Sequence, residues 1–268
     1  MTEIYEDKLR KLVNSSGFPL QIGLQNEIEK SKESHAWRVL TKEHPWRCAE
    51  SGNNGFIDIV LTDVHNTQRM VIECKRVRDT EWVFLDPSIS VNDRRHTRFW
   101  MSYIENYKTK VFDWHDGVVD PSSPETEFCV VHGQDKNSKP MLERIASELV
   151  DATESFAKEE FKLYDKRESD FLGFYFSAIM TTAELKICKF KPEDISIENG
   201  ELSKAEFTIV PFVRFRKCLT STIHLNTPFK LIKEVAKAKE RTVFVINATK
   251  MIDVLKDWDF KLPTSAYR

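Results

Sequence analysis

The chain has 268 residues, 41% hydrophobic and 31% charged, with a net charge of −2. That length suits one large domain with room for an elaboration, and the near-neutral balance excludes a polycation that binds nucleic acid by bulk charge. No apolar run approaches the roughly 20 residues of a membrane span.

The N-terminal MTEIYEDKLRKLV is acidic where a signal peptide is basic and then apolar, so a cytoplasmic protein is expected. Five dispersed cysteines without a CxxC spacing point away from a disulfide framework or a zinc knuckle. The histidines form no HxH or HExxH group, which gives little support to a histidine-built metal site.

In chain order, Leu20, Leu24 and Ile28 with Pro19 predict a helix over 19–37. WRVLT (37–41) follows as a short strand, and GFIDIVLTD (55–63) and RMVIECKRV (69–77) as two strands joined by the polar turn VHNTQ. Residues 79–127 lack clear periodicity and exceed a normal connection, which predicts an insertion with short elements of its own. EFCVVHG (127–133) is a strand, and 140–166 is a long amphipathic helix by the spacing of Leu142, Ile145, Leu149 and Phe156. Strands at 171–180, 183–190 and 205–219, a basic helix around 228–240, the strand TVFVIN (242–247) and a helix around 249–258 complete the order. This is a mixed α/β pattern with a helix-covered sheet.

Asp58 lies in GFIDIVL, with Phe56 and Val60 on its strand face and Ile57, Ile59 and Leu61 on the other. Glu73 and Lys75 share a face with Val71 and Val77. Charges in such apolar surroundings cost several kcal/mol or more unless they are paired or bind a metal. With the turn centred between His65 and Asn66, Asp58 stands opposite Glu73, with Cβ atoms about 4.5–5.5 Å apart. Two carboxylates that close repel unless one is protonated or a cation intervenes. A hard, oxygen-only site suits Mg²⁺, and the main-chain carbonyl of Cys74 adds another oxygen.

Asp58, fifteen residues before Glu73-Cys74-Lys75 and preceded by a helix bearing acids, resembles the PD-(D/E)xK nuclease superfamily. The resemblance implies a restriction-endonuclease-like fold, a mixed central β-sheet flanked by helices. It covers a core at 19–180, with the insertion 79–127 and a β-rich C-terminal extension, 181–268, in a single domain. It implies that Asp58 and Glu73 hold Mg²⁺, with Mn²⁺ as a substitute, and that Lys75 is the catalytic lysine. No proline precedes Asp58, which departs from the family pattern. Many members add a helix glutamate to the metal shell; Glu27, at the edge of the buried stripe, is the candidate and Glu29 points away. His35 falls on the stripe as a core histidine.

The expected activity is hydrolysis of DNA phosphodiesters by a metal-dependent endonuclease, in prokaryotic defence or DNA processing. Arg76, Arg78, Arg94, Arg95 and Arg98, interleaved with Phe99 and Trp100, are the candidate DNA contacts. Arg69 belongs with Lys75, Arg76 and Arg78 to one basic patch, and Arg214 and Arg216 form a basic face on the strand VPFVRFRK that could track a phosphate backbone or pair with acids such as Glu184 and Glu206. A homodimer, or a partner protein that supplies targeting, is compatible with the resemblance. Two alternatives stand beside it: a nuclease-fold adaptor without catalysis, and an unrelated α/β protein in which Glu73 and Lys75 form a surface ion pair.

Overall fold

The computed structural model describes residues 2–78, 80–87, 95–132, 140–166, 169–220 and 229–261. The order is α1 (Thr2–Ser15), α2 (Phe18–Lys30), β1 (Trp37–Arg47), β2 (Asn54–Asp63), β3 (Gln68–Lys75), β4 (Glu81–Asp86), β5 (His96–Glu105), β6 (Lys108–Asp120), β7 (Glu125–Thr126) and β8 (Cys129–Val131). It continues through α3 (Met141–Asp165), β9 (Phe171–Thr181), β10 (Glu184–Lys189), β11 (Glu206–Ile209), β12 (Phe212–Cys218), α4 (Ile232–Lys239), β13 (Glu240–Asn247), α5 (Met251–Lys256) and β14 (Asp259–Lys261). Among the described residues no helix is long and apolar enough to cross a membrane.

The large mixed sheet runs β1-β2-β3-β9-β13-β12-β7, with the β5–β6 hairpin joined through β9 and β14 on β6. A second sheet runs β11-β10-β4-β8. β1, β2 and β3 form an antiparallel meander, whereas β9 lies parallel to both β3 and β13. One face of the large sheet is covered by α3 through Ile145, Leu149 and Phe156, and by Trp82, Phe84 and Leu185 of the second sheet. The other face packs Leu24 and Ile28 of α2 against Ile59, Ile72 and Met180, and is closed by Met251, Val254 and Leu255 of α5.

The turn between β2 and β3 sets the register on which the site depends. Asn66 takes a left-handed φ of 53°, a conformation its short polar side chain tolerates. The buried carboxylate of Asp63 accepts from the amides of Thr67 and Gln68 at 2.7 and 2.9 Å. The pairs run from Thr62 with Arg69 to Ile59 with Ile72, which is the expected register as far as the position before Asp58 and Glu73, where the ladder ends.

Several boundaries differ from the sequence reading. The helix expected over 19–37 ends at Lys30, and the chain is extended from Trp37 onward. The first strand is longer than 37–41 and runs through Pro45, which is tolerated because β1 is an edge strand. Residues 79–127 are not a self-contained insertion: β5 and β6 are long strands, and β5 pairs directly with β9. The strands of 181–268 extend the central sheet, with β13 beside β9 and β12 beside β13. α1 was not anticipated.

Gly173 allows β9 to pass beneath two rings. A Cβ there would stand 2.8 Å from the Phe171 ring and 2.9 Å from Tyr175, both buried. Gly173→Ala is therefore expected to destabilise the fold by about 1–3 kcal/mol, read as a lower urea midpoint with unchanged m-value.

Candidate active site

β2 and β3 part company at Asp58. In a continuing ladder the amide of Cys74 would bond the β2 main chain. Here it donates to Oδ2 of Asp58 at 2.7 Å. The side-chain sequence turns over at the same point: Ile57 packs on the α3 side, while Ile59 and Leu61 pack on the α2 side. This corrects the expectation that Ile57 and Ile59 share a face. At this point the Cys74 amide donates to the Asp58 carboxylate, so that a side chain takes the place of main chain in the gap between the strands.

Glu73 and Lys75 project together from β3, as alternation requires, and form an ion pair through Oε1 and Nζ. Their side chains are 23% and 35% exposed, so the pair faces solvent without lying free on the surface. The main-chain oxygen of Lys75 accepts from Thr182 at 3.3 Å on the β9 side. Successive strand carbonyls point in opposite directions, so the carbonyl of Cys74 faces the gap beside Asp58.

A third acid comes from β1. Lys42 pairs with Ile59 and His44 with Ile57, which sets Glu43 opposite Asp58. Glu43 has a φ of 49°, an uncommon conformation for a glutamate. Buried Gln21 of α2 donates through Nε2 to Oε1 of Glu43 and, at 2.8 Å, to the main-chain oxygen of Asp58. Acids on three adjacent strands are thus electrostatically coupled. Burial, then the negative charge of Glu73, pushes the Asp58 carboxyl up to about 6; Glu43 adds to the rise, and the Cys74 amide and Lys75 oppose it. The Cys74 thiol is pushed up, by burial first and then by Asp58 and Glu73. It is a neutral wall of the site.

Among the described residues no three His, Cys, Asp or Glu groups are gathered as a ready-made metal cage. Glu27 is exposed on α2, and Glu43 is one of the charges that act on Asp58. Gln21, Leu24 and Ile28 form the buried stripe of that helix, and including Gln21 in the i, i+3, i+7 pattern would have revealed it. Glu43 gave no such signal, because KEHPWR is charged, contains proline and reads as a loop.

No protein-family model, curated protein or solved structure matches the chain.

The candidate DNA contacts are dispersed. Arg76 is half-buried and Arg78 exposed, directly after Lys75. Arg95 pairs with Asp120 at 3.5 Å. Arg98 turns inward to Asp116 at 3.2 Å and its side chain is only 14% exposed. Arg94 lies outside the described residues.

Three other arginines are corrections to the sequence reading. Arg69 is buried on Glu160, Arg214 is wholly buried, bonding Ser123 and the carbonyls of Val119 and Pro121, and Arg216 pairs with Asp116 and Glu240. A strand inside the sheet presents both faces to packing, so the basic face of VPFVRFRK is internal.

Proposed function

We propose that this chain is a Mg²⁺-dependent DNA endonuclease of restriction-endonuclease-like fold. The observation that carries the reading is Asp58 set between Glu43 and Glu73, with Lys75 beside them, where β2 and β3 separate. Support comes from the order α2, β1–β3 and, after β4–β8, α3 and β9, with β9 alongside β3 in the sheet.

The charge around Asp58, rather than a ready-made cage, supports a divalent cation. Asp58 binds its proton too tightly because it is desolvated and faces two like charges, which is the excess of negative potential that a hard cation relieves. Asp58, Glu73 and the Cys74 carbonyl would hold the ion, with the charge of Glu43 acting on the same carboxyl. A bound Mg²⁺ supplies Lewis-acid stabilisation of the phosphate oxygens and lowers the pKa of water.

The chain itself does the rest. The Cys74 amide and Gln21 fix Asp58 in one orientation, which removes a reorganisation cost from the reaction. Lys75, held by Glu73, places positive charge where the phosphate gathers negative charge. It also orients the water that attacks phosphorus as the bond to the leaving oxygen breaks.

Supercoiled plasmid should be cut in Mg²⁺ or Mn²⁺ and left intact in EDTA. Lys75→Met should cut at least ~10²-fold more slowly while keeping the wild-type circular dichroism spectrum. Cutting that survives EDTA, or a Lys75→Met enzyme as fast as wild type, would remove the assignment. Glu43→Gln tests the acid that the sequence did not reveal: a several-fold higher Mg²⁺ requirement is expected in a metal titration of the cutting rate.

A further inference from the structure

Next to Glu73, on the α3 side, lies a cavity of about 170 Å³. Its floor is apolar, made by Ile57 of β2 and by Ile145 and Leu149 of α3. Trp46 of β1 forms one wall. The indole is held by its cross-strand partner Gly55, where an added Cβ would stand 3.3 Å from Nε1. Phe56, two residues before Asp58, lines the same cavity and is 62% exposed. Burying such a ring is worth about 1.5–3 kcal/mol, so an uncovered phenyl at the mouth of this cavity is a surface waiting for an apolar, planar partner. Asn53 and Glu148 add hydrogen-bonding groups to the lining.

We infer that this cavity receives one unstacked nucleobase of the substrate strand, and that the substrate is therefore DNA carrying unpaired bases. The inference rests on the nuclease reading for the position of the scissile phosphate, since Glu73 belongs to both the cavity and the acid cluster. Three features select the ligand. The space suits a single planar heterocycle and is too small for a stacked pair. Aromatic side chains bind any base face, at about 1–3 kcal/mol per base. The rim carries a carboxylate and an amide that can accept from the exocyclic amines of a base edge. A base inside a duplex could not enter without leaving its stack, which costs a few kcal/mol and is least costly where the strand is already unpaired.

The test is fluorescence anisotropy on the full chain, with Ca²⁺ in place of Mg²⁺, using a labelled oligonucleotide as a single strand and as a duplex of the same sequence. The single strand should bind about tenfold more tightly. Phe56→Ala, which removes an exposed ring, should lose about tenfold in single-strand affinity and leave duplex affinity unchanged. Glu148→Trp, which plugs the mouth from an exposed helix position, should do the same. Equal affinity for the two DNA forms, or variants that bind single strands as wild type does, would overturn the inference even if plasmid cutting is confirmed. Slot-dependent single-strand binding without any Mg²⁺-dependent cutting would instead uphold the slot and discard the nuclease reading.

Discussion

Asp58→Asn is expected to abolish the proposed Mg²⁺-dependent cutting and, at the same time, to make the protein more stable. The carboxyl has a pKa raised from 3.8 to about 6 in the folded chain. A raised carboxyl pKa means that the folded state favours the protonated form. Its contribution is therefore fully favourable below about pH 4 and is lost as pH rises through 6. A shift of about two units corresponds to ~3 kcal/mol, and solvent access to the site reduces this to about 1–2 kcal/mol. Asparagine keeps the shape, and its oxygen can still accept from the Cys74 amide, but it carries no charge. Thermal melts at pH 5 and pH 8 should show the variant gaining on wild type mainly at pH 8. Mg²⁺ should raise the melting temperature of wild type and not that of the variant. Equal melting temperatures at both pH values would show that the three acids are not electrostatically coupled.

The second large effect is expected far from the chemistry, at Glu160 of α3. Arg69 of β3 is 2% exposed and reaches Glu160 through Nη2 at 2.6 Å and Nε at 3.2 Å. Tyr175 of β9 donates to the other carboxylate oxygen at 2.9 Å, and Thr62 accepts from Arg69 at 2.9 Å. Glu160→Ala leaves a buried guanidinium without its counter-charge, at a cost of about 3–5 kcal/mol. Urea unfolding should register that loss. The double variant Arg69→Met, Glu160→Leu should recover most of it, because an apolar pair of similar volume removes the unpaired charge. If the double variant is as unstable as the single one, the loss belongs to packing and not to charge.

These residues also show how much the sequence could carry. The hairpin was legible because its parts are local: a polar turn of known length, alternation on both sides, and a charged pair that alternation places on one face. Local signals likewise gave α3 and the strands β9, β10 and β13. The remaining site residues were not local. Glu43 enters through a left-handed residue on an edge strand, and Gln21 through a helix stripe in which a polar residue occupies an inward position.

The arginines show a different limit. Arg69, Arg98, Arg214 and Arg216 alternate with apolar residues in the sequence as surface charges do, but their partners come from other strands and from α3. Only the assembled sheet distinguishes a solvated guanidinium from a buried one. The 79–127 stretch was misread for the same reason, since the partner that completes β5 is β9, encoded some seventy residues later.

The placement of β9 between β3 and β13 has a consequence for biosynthesis. The ribosome delivers the lysine-bearing strand well before its neighbour, which appears only after α3 has been made, and that neighbour's other flank follows only after β10, β11, β12 and α4. Until then the middle of the sheet would be an open, greasy border, and such long-range parallel pairing is slow and prone to misassembly. A nascent chain halted near residue 180 should therefore depend on chaperones until β13 is available to cover that border.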